Sequence, residues 1–308
     1  MVKDINPDGS GFAPTGSPVG QPGLFTLLAV GNTLFFTAND GASGIELWKT
    51  DGTADGTVEV RDINPGLGDS SPAFLTDVNG TVFFVADDGV HHMQLWTSDG
   101  TAAGTRLVAL INGNGDAFGP TTFFFSFAAL GAELYIAADD GFHGSELWRS
   151  DGTAAGTALV EDINPGIPGS FPAFLTRNGD HLVFQACEPT TGCELWEADA
   201  SNARRIGDLV PGPQSSDPGP FTVSGGRVFF PAQTAELGTE LWSLTTETCA
   251  GDCNNDGMVT VAELVTAVGI ALDNAPVSAC TAVDTNADGR VTVDELVRAV
   301  QSLLNGCT

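Results

Sequence analysis

Five tryptophans divide most of this chain into copies of one segment. They stand at steps of 48, 52, 48 and 46 residues: Trp48, Trp96, Trp148, Trp196 and Trp242. Each follows a leucine that is itself preceded by glutamate or glutamine, and three copies continue as D-G-T-x-x-G-T from Asp51, Asp99 and Asp151. A period in this range is typical of repeat proteins in which each copy is one supersecondary unit. Residues 1–247 are therefore predicted to form a repeat domain.

One copy contains four short runs rich in β-branched and aromatic residues, separated by turn signals such as Asn79-Gly80. In the second copy the predicted strands are Ala73–Val78, Thr81–Ala86, Gln94–Ser98 and Thr105–Ile111. Four strands per copy is the pattern of a propeller blade, whereas the coils of a β-solenoid are usually shorter. The sequence thus predicts a mainly β fold, a five-bladed β-propeller of four-stranded blades.

The first residues and the last copy complement each other. Residues 2–5 match the fourth strand of a copy, and no such strand follows Trp242. Pairing the two would close the ring and cover both open sheet edges. We therefore expect the N-terminal strand to complete the fifth blade.

The motif stands nearly complete as ELWKTDGT from Glu46 and ELWRSDGT from Glu146, and as QLWTSDGT from Gln94. Over roughly residues 2–247 the chain resembles the bacterial family named for its ELWxxDGT repeat. That resemblance implies an extracellular β-propeller and assigns no chemistry.

Two further segments, 32 residues apart, both fit D-x-N-x-D-G-x-V-T-x-x-E, the spacing of EF-hand loops that wrap six to eight oxygens around Ca²⁺. The predicted ligands of the first ion are Asp252, Asn254, Asp256, Met258 through its carbonyl, Thr260 and Glu263. Those of the second are Asp284, Asn286, Asp288, Arg290 through its carbonyl, Thr292 and Glu295. Two bound Ca²⁺ ions are predicted.

An apolar helical pattern follows each loop, so residues 248–308 are predicted to be a small α-helical domain. A loop-then-helix unit, duplicated without a full entering helix, resembles a dockerin over about residues 251–306. The resemblance implies docking onto a cohesin-like or other cell-surface protein.

The six cysteines are even in number and clustered, which is typical of an oxidising, extracellular or cell-surface setting. Cys187 and Cys193 are expected to close a small loop. The other four, Cys249, Cys253, Cys280 and Cys307, allow three pairings, and we favour Cys280 and Cys307 each bonding one of the first two. The first residues lack the pattern of a signal peptide.

With 11 basic and 39 acidic residues the formal charge is −28. Such a surface repels nucleic acid and anionic lipid, so neither is an expected partner. No apolar run approaches the ~20 residues that span a bilayer, and we expect a monomer without membrane insertion.

The repeats leave two readings open. The tryptophans could form a carbohydrate platform, but a fixed strand position favours a packing layer between sheets. Likewise Asp40, Asp88 and Asp140, with His91 and His143, could bind a metal or a glycan on one rim, but Asp-Gly turn chemistry explains the aspartates.

Neither G-x-S-x-G nor H-E-x-x-H occurs, so we expect no enzymatic activity and no catalytic residues. The expected function is that of an extracellular, non-enzymatic binding or display protein whose propeller rim binds a glycan or a protein. The alternatives are a secreted, glycosidase-like propeller that degrades polysaccharide while docked on a cohesin scaffold, and a purely structural surface protein.

Overall fold

The computed structural model describes residues 1–11, 27–118, 127–199, 202–224, 227–245, 250–254, 259–285 and 288–305. Within these ranges the fold is mainly β, with five antiparallel sheets of three or four strands. The chain divides into two units, residues 1–222 with 230–242, and residues 223–229 with 243–308.

The strands of the first sheet are β1 (Leu27–Val30), β2 (Thr33–Asn39), β3 (Ile45–Thr50) and β4 (Val58–Arg61). Those of the second are β5 (Ala73–Val78), β6 (Thr81–Asp87), β7 (Met93–Ser98) and β8 (Arg106–Ala109). The third has β9 (Phe127–Leu130), β10 (Glu133–Asp139), β11 (Ser145–Ser150) and β12 (Ala158–Glu161). The fourth has β13 (Ala173–Asn178), β14 (His181–Glu188), β15 (Gly192–Ala198) and β16 (Ala203–Arg205). The fifth has β17 (Thr222–Ser224), β18 (Arg227–Thr234) and β19 (Gly238–Thr245).

The strands of the second copy agree closely with the sequence prediction. Asn79 and Gly80, between β5 and β6, both have positive φ, 52° and 88°, as a two-residue hairpin turn requires. The last strand ends at Ala109, earlier than predicted, because the backbone N–H groups of Ile111 and Asn112 turn away to donate to the side chain of Gln94.

Successive sheets pack face to face through apolar clusters, and the first strands β1, β5, β9 and β13 contact one another in chain order. Trp96 is 4% exposed and lies against Phe35 and Leu47 of the sheet before it. Trp48 and Trp196 are similarly buried. Those three rings therefore belong to the packing layer and not to a carbohydrate platform.

Basic side chains link neighbouring sheets. Lys49 Nζ donates to the carbonyl of Gly100 at 2.7 Å, and Arg61 Nη1 to that of Thr105 at 2.5 Å. The other basic side chains that the structure describes in the first unit also donate to a carbonyl or a carboxylate: Lys3, Arg106, Arg149, Arg177, Arg204 and Arg205.

The strand expected at residues 2–5 is not formed: residues 1–11 contain no strand, and the fifth sheet has three strands among the described residues. Residues 6–9 instead make a turn, with Gly9 N donating to Asn6 O. Ile5 still packs against Phe36 and Trp48 of the first sheet.

The second unit contains helices α1 (Val261–Ala271) and α2 (Val293–Asn305), which pack against each other. Ala267, Ile270 and Ala299 are buried in its core, together with Val283 between the helices. None of the helices that the structure describes is both long and apolar enough to cross a membrane.

Candidate functional site

The first predicted calcium loop leads into α1. Asp252 is 4% exposed and Glu263 7%. The Glu263 carboxylate accepts the backbone N–H groups of Cys253 at 2.9 Å, Asn254 at 3.2 Å and Thr260 at 2.8 Å. Burial raises the pKa of Glu263, but these hydrogen bonds outweigh it and hold the pKa below its usual value. The carboxyl group is therefore ionised at neutral pH.

The second loop repeats this geometry ahead of α2. Glu295 is 3% exposed and accepts from the backbone N–H of Thr292 at 2.8 Å and from its hydroxyl at 3.0 Å. The Asp284 carboxylate accepts the N–H groups of Asp288 at 3.1 Å and Gly289 at 2.8 Å. The loop therefore curls around Asp284, the residue at its first position.

Of the twelve predicted calcium ligands, Asp256, Met258 and Asn286 lie outside the described residues. Among the residues with coordinates, no group of three or more His, Cys, Asp or Glu side chains converges as a metal site. The donor set is oxygen throughout, as Ca²⁺ prefers, and its acidic members at Asp252, Glu263 and Glu295 are buried. The residues present thus fit the ion in chemistry.

A disulfide joins Cys253 in the first loop to Cys280 before the second, across 27 residues. This is one of the favoured pairings, and Cys249 and Cys307 lie outside the described residues. Closing a segment of this length typically contributes about 2–4 kcal/mol to stability. The disulfide fixes the first loop to the segment that leads into the second.

Each helix presents an apolar stripe to solvent. The exposed side chains of α1 are Val261, Val265, Val268 and, at its C-terminal end, Leu272; those of α2 are Val293, Val297, Val300 and Leu304. Their exposure ranges from 37% to 75%, and the two sets occupy equivalent positions 32 residues apart. The apolar residues that predict the two helices therefore only partly mark their buried sides, because the small residues Ala267 and Ala299 fill the interior instead.

The glutamate of the repeat motif forms a buried clamp that the sequence did not reveal. The Glu46 carboxylate is fully buried and accepts the N–H groups of Ile63 at 3.0 Å, Asn64 at 3.3 Å and Ser70 at 3.2 Å, together with the Ser70 hydroxyl. It thereby holds the segment that leads from one sheet to the next. Glu146 with Ser170 and Glu194 with Ser216 repeat this clamp.

The second copy has glutamine instead. Gln94 Oε1 accepts the N–H groups of Ile111 and Asn112, and its Nε2 donates to the carbonyls of Asn112 at 3.0 Å and Gly115 at 2.9 Å. Alanine at 117 replaces the serine that donates in the other copies. The paired changes, glutamate to glutamine and serine to alanine, are the sequence signal that could have exposed the clamp.

Burial raises the pKa of Glu46 and of Glu146 to about 7, against the opposing effect of their hydrogen bonds. Each holds its proton more tightly in the folded chain, so the free energy of unfolding is expected to fall as pH rises from 4.5 to about 7. Urea unfolding followed by tryptophan fluorescence across this range would measure the fall. The double variant Glu46→Gln/Glu146→Gln should give a flatter profile, and an unchanged slope would contradict this origin.

The D-G-T-x-x-G-T loops are explained by local turn geometry. Asp51 Oδ1 accepts the N–H of Thr53 at 2.9 Å and its hydroxyl at 2.7 Å. A Cβ at Gly56 would lie 2.0 Å from the same oxygen, so a larger residue there would displace the Asp51 carboxylate from Thr53. The loops beginning at Asp99 and Asp151 are identical in these contacts. The motif is therefore structural.

The loops between the second and third strands carry the predicted rim residues. The Asp88 carboxylate accepts two backbone N–H groups and contacts His91 Nδ1 at 2.7 Å; Asp140 contacts His143 Nδ1 at 2.8 Å in the same way. The hydrogen bond that the imidazole donates to the Asp140 carboxylate raises the pKa of His143. In the first sheet Asp40 holds Ser43 instead. Each loop is thus a self-contained turn, and within the described part of the chain the Nε2 of His91 and that of His143 have no hydrogen-bond partner.

Two more features mark this rim. Val90 is 74% and Phe142 70% exposed, each directly before its histidine. In the fourth sheet the corresponding loop is closed by a disulfide between Cys187 and Cys193, as the sequence predicted.

Comparison with models of known protein families gave no match, and neither did comparison with curated proteins. Among solved structures, a puromycin hydrolase covers 66% of this chain and 32% of its own, at 20% identity and a TM-score of 0.44. A prolyl endopeptidase covers 73% and 34%, at 14% identity and 0.45. TolB from Acinetobacter baumannii covers 72% and 55%, at 12% identity and 0.37. The chain thus spans about a third to about half the length of these proteins.

The expectation that this chain is not an enzyme is corrected by these matches, because the matched structures include a hydrolase and an endopeptidase. Identities of 12–20% and TM-scores below 0.5 assign the chain no reaction and no catalytic residue.

Proposed function

We propose that this chain is an extracellular or cell-surface binding protein with a calcium-dependent docking module at its C-terminal end. The observation that carries the proposal is the duplication in the second unit. Two loops and two helices recur 32 residues apart with the same contact between glutamate and threonine and the same exposed apolar stripe. Two disulfides support an oxidising location.

In this proposal the twelve loop ligands hold two Ca²⁺ ions, and the ions supply charge neutralisation and a fixed loop geometry. Glu263 and Glu295, at the last position of each loop, are held toward the loop by their contacts with Thr260 and Thr292. A buried carboxylate at this position is what a bidentate calcium ligand provides.

Calcium is expected to bind with a Kd of about 10⁻⁴–10⁻³ M, as in extracellular modules. Isothermal titration calorimetry should detect binding that Glu263→Gln and Glu295→Gln weaken, while Asp273→Asn, outside both loops, leaves it unchanged. Chelator should melt residues 252–308 and spare the sheets, as followed by circular dichroism. Absence of heat at millimolar calcium would contradict the proposal.

The partner of the docking module is proposed to be a cohesin-like or other cell-surface protein with an apolar surface. Aliphatic side chains exposed together along a helix mark interaction sites. The acidic surplus of the chain favours a partner with basic residues around its apolar surface. Calcium-dependent binding to a panel of cohesin domains, lost in Val265→Asp/Val297→Asp, would support this partner. Binding that survives both substitutions would place the contact elsewhere.

The five sheets are proposed to be the blades of a propeller whose rim binds a glycan or a protein. The exposed Val90 and Phe142 beside carboxylate-held imidazoles support this role, since they offer apolar and hydrogen-bonding groups together. A glycan array, run with and without calcium, tests the glycan. Loss of a hit in His91→Ala/His143→Ala, at unchanged stability, would locate it on the rim.

A further inference from the structure

Among the described residues, nothing covers the outer edge of the fifth sheet. Leu241 on β19 is 74% exposed, and Glu240 beside it is exposed as well. The equivalent leucines of the other four sheets are at most 4% exposed: Leu47, Leu95, Leu147 and Leu195. In those sheets a fourth strand and the segment after it cover the leucine and engage the preceding glutamate or glutamine. The described residues of the fifth sheet therefore lack the fourth strand and the following segment that cover this leucine in the other four sheets.

Residues 1–11 already have the backbone contact of such a covering segment. Asn39 N, in β2, donates to the carbonyl of Gly11 at 3.0 Å. The equivalent bond in every other sheet comes from the segment that leaves the preceding sheet: Asp87 to Ser70, Asp139 to Ala117, Cys187 to Ser170 and Gln233 to Ser216, at 2.8–3.0 Å. In this contact, residues 1–11 take the place on the first sheet that the segment from the preceding sheet takes on each of the others.

A side-chain contact agrees. Lys3 Nζ donates to the carbonyl of Thr57 at 2.8 Å, just as Arg61 Nη1 donates to Thr105. Lys3-Asp4-Ile5-Asn6 corresponds to Arg61-Asp62-Ile63-Asn64 residue by residue. Val2, however, is 48% exposed, whereas the equivalent Val60 is 5% exposed. Val2 is thus an apolar side chain of this segment that nothing covers among the described residues.

We infer that residues 2–11 dock on the edge of β19 and that Glu240 is their clamp, accepting the N–H groups of Ile5, Asn6 and Gly11. These are the counterparts of the three N–H groups that Glu46 accepts. The inference rests on the proposed propeller and names the contact that closes it. It is independent of calcium binding and of partner docking, so its failure leaves both of those proposals standing.

Hydrogen–deuterium exchange of peptides covering residues 2–11 tests the clamp in the full chain. Exchange is expected to be slow in the unmodified protein and about tenfold or more faster in Glu240→Ala, as follows from losing hydrogen bonds to a charged acceptor. Glu240→Gln should keep exchange slow, because Gln94 Oε1 accepts the same pair of N–H groups in the second copy. Glu236→Ala, which removes an exposed carboxylate in the loop just before β19, should change nothing.

Fast exchange in the unmodified protein, or equal exchange in Glu240→Ala and Glu236→Ala, would overturn the inference. Sedimentation velocity shows whether the docked segment comes from the same chain or from a second copy. A monomer with slow exchange supports docking within one chain. A dimer that dissociates in Glu240→Ala would show a second copy donating the segment, and would overturn docking within one chain.

Discussion

Replacing Trp96 by alanine is expected to destabilise the first unit by about 3–5 kcal/mol, the usual cost of truncating a large aromatic side chain in a core. The ring is 4% exposed between the first two sheets, with the guanidinium of Arg61 5.9 Å from its centre. Its removal therefore leaves a cavity at an interface that two sheets share. Urea unfolding followed by the remaining tryptophans would measure the loss.

Trp242→Ala is the matched control. Trp242 occupies the same motif position but is only half-buried, and its Nε1 donates to the carbonyl of Ala232. We expect less than half the effect of Trp96→Ala. Equal losses, or no loss at Trp96, would contradict the packing role; a lost glycan signal at unchanged stability would restore the carbohydrate platform.

Gln94→Glu is expected to cost about 3 kcal/mol at pH 8, although it restores the consensus of the repeat. The new carboxylate oxygen would face the carbonyls of Asn112 and Gly115, which now accept from Gln94 Nε2. Burying a charge without donors costs more than losing the hydrogen bonds alone. Below pH 5 the cost should shrink, because the protonated acid can donate again.

Ala117→Ser supplies the donor that the other copies use. In the double variant Gln94→Glu/Ala117→Ser we expect part of the loss to be recovered, whereas Ala117→Ser alone should gain nothing. A double-mutant cycle in urea measures this coupling. Additive losses would show that positions 94 and 117 are energetically independent, which would contradict their joint role in the clamp.

The strands were predictable because the turns are encoded locally. Asn79-Gly80 adopts the two positive φ values that only such residues accept readily, and this fixes the register of β5 and β6. Phe74 and Phe174 could not have been foreseen, since each has φ near +57° at a register shift in its strand. A phenylalanine gives no local signal for that conformation, and tertiary packing imposes it.

The role of the motif glutamate was hidden for a different reason. Glutamate is rarely buried, so nothing in the motif itself predicts that Glu46 and Glu146 lie in the interior. Only the three-dimensional return of Ile63 and Ser70, 17 and 24 residues later, supplies their donors. Contacts at such separations are visible in one sequence only through paired changes such as Gln94 with Ala117.

The basic side chains described in the first unit already have hydrogen-bond partners within the protein. Lys49 and Arg61 fasten one sheet to the next, and the others described in that unit are likewise bound to carbonyls or carboxylates. With 39 acidic residues against 11 basic ones, the chain carries a formal charge of −28, and mobile cations gather around it. A cationic partner that binds the acidic surface would release some of these mobile cations. Its binding free energy would include that release, so its affinity would fall as the salt concentration rises.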